Sequence, residues 1–328
     1  MKAEFNKHAC TVLLYPHASK NDVWRLNAKI IRNVVIELAK VVSQFEPVLF
    51  GYGDIHPSIR QNNISLGRID YDDIWVRDTG PIPLRNNKLV IFGFDGWGGL
   101  SSDFVPSQIV SSQIADKLNL SIVNTSEIVL EGGNISSDGK GTALVIKERV
   151  LSSNKKSLDE IESELKKCLD LNRIIWIERG LIYDETETHV DNLCVFASET
   201  QILLAWTDDK QNPQYDVVHE AFDILSKTEY EIIKVPIPDI FKRTEDDCIG
   251  IKIVQGNKAR IMGEPIQASY INFMFVNGGI ILPQFNAPQD KNVLELFKQI
   301  FPSRQIVPFN AREVILGGGG LHCISRNI

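Results

Sequence analysis

The chain lacks the usual marks of a membrane protein, a cofactor enzyme or a secreted disulfide scaffold. Its five cysteines, Cys10, Cys168, Cys194, Cys248 and Cys323, are odd in number and scattered, with no CxxC pair. That excludes a zinc ribbon and a thioredoxin-like redox pair, and predicts free thiols in a reducing compartment. No GxGxxG follows the first predicted strand, and GxxxxGK[ST] is absent, so dinucleotide and P-loop folds lack their fingerprints. There is no HExxH, and His8, His17, His56, His219 and His322 fall at no ligand-like spacing, so no metal or other cofactor is expected. Positive charge is in deficit: the net charge is −7, which gives no support for a nucleic-acid partner. The uncharged stretch Ala268 to Ala287 holds too many Ser, Asn, Gly and Gln residues for a bilayer span. Met1-Lys2-Ala3-Glu4-Phe5 carries an early acid and opens no apolar run, so no signal peptide is expected. The default is a cytoplasmic enzyme or binding protein, with a symmetric homodimer as the base expectation for assembly.

At 328 residues and 43% apolar composition, the chain can bury a sizeable core. No Pro/Gly/Ser-rich linker divides it, which predicts one catalytic domain over residues 1–328. Short apolar runs read as strands at 12–15, 47–50, 74–76, 89–94, 128–130, 142–146, 174–177, 193–197, 202–205, 230–235, 271–276 and 279–282. Helical spacing appears at 22–43, 107–118, 158–169 and 290–300, and residues 54–63 read as a helical or turn segment. Strands outnumber helices and often come in pairs across tight Gly turns. This predicts an α/β or α+β fold and fits a doubly wound sheet poorly. An apolar strand running into Gly-Gly recurs near residues 130, 276 and 316, a hint of repeated modules.

Four segments could carry chemistry. Gly317 to Gly320 lead into Leu321-His322-Cys323, so the cysteine follows a run that tolerates sharp turns and close approach. Cys323 is either a nucleophile, active as thiolate, or an inert buried thiol beside a flexible turn. Asp184-Glu185-Thr186-Glu187-Thr188-His189-Val190-Asp191-Asn192 surrounds one histidine with acids. That favours imidazolium and suits a general acid. If the segment is extended, His189 and Asp191 share one side; the competing reading is a solvated acidic loop, which is preferred for Glu187. Asp72-Asp73-Ile74-Trp75-Val76-Arg77-Asp78-Thr79-Gly80-Pro81 offers Trp75 as an apolar wall and Asp78 as a carboxylate. Arg77 is read structurally, orienting Asp78 or another acid. In Glu131-Gly132-Gly133-Asn134, a buried Glu131 must be hydrogen-bonded or near a cation. Carboxylates around a cysteine repel anions but suit a planar guanidinium, which takes bidentate charge-assisted hydrogen bonds and has an electron-poor carbon.

In that order, Trp75 to Pro81, Glu131 to Asn134, His189-Val190-Asp191 and Gly317 to Gly319 with His322-Cys323 resemble the motifs of the agmatine deiminases. These belong to the bacterial, Porphyromonas-type peptidylarginine deiminase family of the guanidine-modifying (pentein) superfamily. Phe94 to Gly99, Ala268 to Phe273 and Pro283-Gln284-Phe285 add to the likeness. The resemblance implies a five-bladed, pseudo-fivefold α/β propeller with a central active-site channel. It also implies hydrolysis of agmatine to N-carbamoylputrescine and ammonia, without a cofactor. Cys323 would attack the guanidinium carbon. Asp78 and Asp191 would grip its nitrogens, and His189 would serve as acid and then base. Glu185 would receive the distal amine, Trp75 would pack along the aliphatic chain, and Glu131 would support the histidine. Gly318 and Gly319 would serve the cysteine's turn. The sequence departs from the pattern at Thr188, where these enzymes usually have glycine. A β-branched residue there is expected to keep φ negative.

Alternatives remain. Peptidylarginine deiminase shares the chemistry, although Glu185 favours a free amine. Free-arginine deiminase would need a pocket cation for the α-carboxylate, and Arg77 is the only one within the motifs before the cysteine. A non-catalytic guanidine- or polyamine-binding protein would need the carboxylates but not Cys323 and His189 together.

Overall fold

The computed structural model describes residues 1–17, 19–20, 22–100, 104–186, 188–255 and 257–328. One unit recurs five times: an antiparallel hairpin, a helical crossover, and a third strand parallel to the second. The second blade joins Ile82–Pro83, Leu89–Gly93 and Ile122–Val129, and the third joins Ile135–Ser137, Thr142–Ile146 and Arg173–Ile177. The fourth joins Cys194–Phe196, Gln201–Trp206 and Glu231–Pro236, and the fifth joins Met274–Val276, Gly279–Gln284 and Gln305–Asn310. The first blade is assembled from both ends of the chain. Ser325–Asn327 supplies its inner strand, pairing antiparallel with Thr11–Leu14, which runs parallel to Val48–Tyr52, with Ile64–Arg68 added outside. The circle is thus closed by the segment that follows Cys323.

Burial explains the strand sequences. The middle strands, such as Thr142–Ile146 and Gln201–Trp206, are covered on both faces and read as continuous apolar runs. The third strands Ile122–Val129, Glu231–Pro236 and Gln305–Asn310 are largely exposed or half-buried, and Gln305–Asn310 even admits Pro308. The crossover helices bury one stripe each. In Leu158–Leu169, Ile161, Leu165, Cys168 and Leu169 face inward, and Ser157 and Glu160 cap each other at the N-terminus. Each fully buried Leu or Ile there contributes about 2 kcal/mol.

Several predicted elements change. Ile74-Trp75-Val76 is no strand: Val76–Thr79 forms a helical turn with Trp75 at its N-cap. Three apolar residues cannot distinguish the two. Residues 54–63 take the turn alternative, with bends and a turn but no helix, and precede the unpredicted strand Ile64–Arg68. Tyr215–Leu225 is a helix the reading omitted. The Gly-Gly recurrences are not equivalent: Gly132 begins a short 3-10 turn, Gly278 makes a hairpin, and Gly317 follows the helical turn Arg312–Ile315. Among the described residues no helix is long and apolar enough to cross a membrane.

Candidate active site

The repeat unit dictates where chemistry gathers. The turn before the inner strand of each blade carries one or two polar side chains. These are Asp78 in the turn Val76–Thr79, Glu131 beside Gly132–Asn134, and His189 and Asp191 at Val190–Leu193. Asn272 precedes Met274–Val276, and Cys323 precedes Ser325–Asn327. All are buried. The sequence reading therefore named residues that the fold brings together, with one omission: Asn272 appeared only inside a supporting stretch.

Gly133 marks the meeting point. A Cβ there would lie 2.7 Å from His189 Nδ1, 2.9 Å from Asp78 Oδ1 and 3.1 Å from Asp191 Oδ2, so any side chain would displace one of them. Asp78 is held at both oxygens, by the Gly133 N–H at 2.9 Å and the Trp97 indole N–H at 2.9 Å. Arg77 does not pair with Asp78. It donates to Glu4 at 2.6 Å and to Asn327 at 3.0 Å, which makes Glu4 the other acid. His189 stands 3.8 Å from Asp78 through Nδ1 and 3.8 Å from Glu131 through Nε2. The segment after His189 is a helical turn, so the expected extended pairing of His189 with Asp191 does not occur. Asp184 fixes the turn instead, accepting from the His189 backbone N–H at 3.1 Å and from Asn192 at 2.8 Å. Glu187 lies outside the described residues.

Glu131 is buried and charge-compensated. It accepts from the guanidinium of Arg149, which is itself buried and bridges to Asp95 at 3.0 Å. Arg149 was missed by the sequence reading. It lies on a helix outside every motif, and its only signal was the requirement that a buried glutamate find a cation.

The thiol of Cys323 lies 3.2 Å from Asn272 Nδ2 and 3.7 Å from Asp191 Oδ2. Burial pushes its pKa well above the ordinary thiol value, and the Asp191 and Asp78 carboxylates push it further. Burial likewise raises Asp78, with Asp191 and Glu131 adding to the rise against the pull of His189. For His189 burial acts downward, but Asp78 and Glu131 overcome it and lift the pKa to about 9. Burial would raise Glu131, but His189 and Arg149 bring it down to about 2. At neutral pH the site thus holds a thiol at Cys323, an imidazolium at His189 and a carboxylate at Glu131. Two buried polar atoms there, Asp191 Oδ1 and His189 Nε2, have no hydrogen-bond partner among the described residues. Buried groups of this kind are rare unless a ligand completes them.

A pocket opens from Cys323 past Trp75, Asp78 and Trp97 to Glu185 and Arg260. Trp75 stacks on Trp24 with ring centres 5.5 Å apart, and both indoles donate to Asp73 at 3.0 Å. The glycine run is fitted closely against this wall. A Cβ at Gly319 would stand 2.5 Å from the Trp75 ring, and one at Gly318, whose φ is +103°, would stand 2.3 Å from Glu185. Glu185 bonds Arg260 at 2.7 Å and lies 3.4 Å from Lys258 and 3.8 Å from Arg243. Arg77 remains the only cation within the motifs before the cysteine, but these cations, with Lys20 also lining the pocket, stand at the site as well. They come from outside the motifs. Thr188 also departs from expectation: its φ is +82°, in the left-handed region.

Residues 1–328 match the sequence family described as Porphyromonas-type peptidyl-arginine deiminase. The chain belongs to that family. It is 34% identical to the agmatine deiminase of Pseudomonas putida, over 99% of this chain and 94% of the relative. Its fold superposes on the agmatine deiminase of Enterococcus faecalis with a TM-score of 0.92, at 27% identity, covering 100% of this chain and 94% of the other. A cysteine-to-serine variant of Campylobacter jejuni agmatine deiminase, solved with substrate bound, matches with a TM-score of 0.84 at 25% identity, over 99% and 94% of the two chains. The pentein propeller expected from the motifs is therefore the observed fold.

Proposed function

We propose that this protein is an agmatine deiminase, converting agmatine and water to N-carbamoylputrescine and ammonia. The carrying observation is the pair of buried atoms without a partner among the described residues, Asp191 Oδ1 and His189 Nε2, beside the buried thiol of Cys323. An acceptor without a donor, next to a second carboxylate and a nucleophile, fits a planar cation with N–H groups and an electrophilic carbon. Kinship with agmatine deiminases across the whole chain supports the same substrate.

In this reading Asp78 and Asp191 take the guanidinium nitrogens and place its carbon at Cys323. The arriving cation offsets the carboxylates that hold the thiol protonated, so the S–H proton is released to solvent and the thiolate forms a C–S bond. The imidazolium of His189 gives its proton to the departing nitrogen, the C–N bond breaks, and ammonia leaves. The amidino-thioether stays between the carboxylates. Neutral His189, kept basic by Glu131 and Asp78, takes a proton from water as the oxygen adds to the carbon, and collapse to the carbonyl expels the Cys323 sulfur, which takes up the adduct's hydroxyl proton and returns to the thiol. Trp75 walls the aliphatic chain.

At the distal end Glu185 receives the ammonium, which takes the place of Lys258 near Oε1 while Arg260 keeps Oε2. Asp72 and Asp73 line the same pocket and add negative potential. The free thiols of the described residues fit a reducing, cytoplasmic setting. An ammonia-release assay with agmatine, free arginine and a blocked arginyl peptide tests the reading. Release from agmatine alone is expected. Release only from the peptide makes it a protein-modifying enzyme, and release from arginine assigns Lys258 and Arg260 to a carboxylate.

A further inference from the structure

His322 precedes the nucleophile, yet the chemistry above gives it no part. Its ring is buried and bridged on both sides: Nδ1 lies 2.7 Å from Asp191 Oδ2, and Nε2 lies 2.7 Å from Glu4 Oε2. Both partners are carboxylates, and Arg77 at 2.6 Å keeps Glu4 an ionised acceptor. A ring nitrogen facing a carboxylate must donate, so both nitrogens carry protons and His322 is an imidazolium. Burial and Arg77 oppose that charge, but Glu4 and Asp191 outweigh them and raise its pKa.

We propose that Glu4 and His322 form a positioning pair for Asp191. The imidazolium occupies Asp191 Oδ2 and so leaves Oδ1 as the atom free for the guanidinium. It also sets a positive charge 2.7 Å from Asp191, beside the acids Asp78 and Glu131 that crowd the same site. Glu4, in the segment ahead of the first strand, is what keeps the imidazole charged. The active site therefore depends on a residue far from it in sequence that never touches substrate. The proposal rests on reading Asp191 as a guanidinium ligand.

The charged groups around His322 are Glu4, Asp191 and Arg77, with Arg326 beside Glu4; Asp78, which also titrates in the site, is the same in every variant. The test is the pH dependence of kcat/KM for agmatine in full-length Glu4→Gln, His322→Asn and His322→Ala, with a thermal melt of each. Glutamine can donate to Nε2 and leave a neutral imidazole donating to Asp191, so shape is kept and charge lost. Asparagine places its amide N–H near the position of Nδ1–H. Losing the cation removes positive charge from beside the acids of the site, so the acid limb moves to higher pH by about one unit or more in Glu4→Gln and His322→Asn. At pH 8 His322→Asn retains at least about tenfold more kcat/KM than His322→Ala, because the donor to Asp191 is restored. Acid limbs that stay at the wild-type position, or asparagine no better than alanine, overturn the proposal. Should His322→Ala fail to fold, Glu4→Gln alone decides it. Asp191→Ala is the control: full turnover there would remove the guanidinium-ligand reading itself, whatever the other variants do.

Discussion

Occupying the acid pair with a cation should switch on the thiol. In the empty site Cys323 is buried, 3.7 Å from Asp191 Oδ2, and its pKa is held well above the ordinary value. A guanidinium or amidinium between Asp78 and Asp191 places a unit positive charge about 4 Å from sulfur. At an effective dielectric near 20 this stabilises thiolate by about 4 kcal/mol, or about three pKa units. The perturbation is alkylation by a haloacetamidine, which carries the cation, against the matching haloacetamide, which does not. The assay is the second-order rate of inactivation between pH 6 and 9, with the modified cysteine located by peptide mass. The cationic reagent should react about a thousandfold faster at neutral pH, and at Cys323 alone. Asp78→Asn should remove much of the advantage while leaving the slow neutral reaction. Equal rates for the two reagents, or a neutral reagent already fast at pH 7, would show that the thiol is ionised in the empty site and would refute substrate-assisted ionisation.

Further outcomes follow from other parts of the site. Glu185→Gln should lower kcat/KM for agmatine much more than for a simple alkylguanidine lacking the amine; equal losses would take the ammonium away from Glu185. The free-enzyme kcat/KM should hold up to about pH 9 and fall above it as His189 loses its proton, with no limb near 6.5, and His189→Ala should abolish it. Because the folded pKa of His189 is raised from 6.5 to about 9, its contribution to stability is full below about 6.5 and lost as pH rises through about 9. A urea titration at pH 7 and pH 10 reads that loss. Thr188→Gly should relieve the positive-φ strain, offset in part by glycine's entropy, for a gain of about 1 kcal/mol in a chemical melt with little change in turnover. A loss of stability would mean that the Thr188 side chain contributes more than its strain costs.

Much of the fold was readable because burial wrote it into the sequence. Thr142–Ile146 and Leu158–Leu169 occur with the bounds expected from the sequence, the first a continuous apolar run, the second a helix whose Ser157–Glu160 cap the structure adds. The unread pieces were those that periodicity cannot see. Val76–Thr79 is too short to show a helical repeat, and Ser325–Asn327 is a strand of polar residues whose partner lies at the other end of the chain. Tyr215–Leu225 did carry a signal in Val217, Val218, Ala221 and Leu225 and was overlooked.

In the site, motif residues were found because each sits on a glycine-bearing or acidic turn before an inner strand. Their supports were not. Asn272 and Glu4 act across blades, and only the closed ring places Glu4 beside His322, whereas Arg149 reaches Glu131 within the third blade, from its crossover helix. The pocket cations Lys258 and Arg260 belong to the excursion between the fourth and fifth blades, which carries no motif.

The covalent role of Cys323 is tested most directly by Cys323→Ala, with ammonia release from agmatine measured alongside calorimetric binding of agmatine to the same sample. The account predicts retained binding, since Asp78, Asp191 and Glu185 are untouched, and no turnover. Ammonia release at a rate near that of the wild type would contradict it.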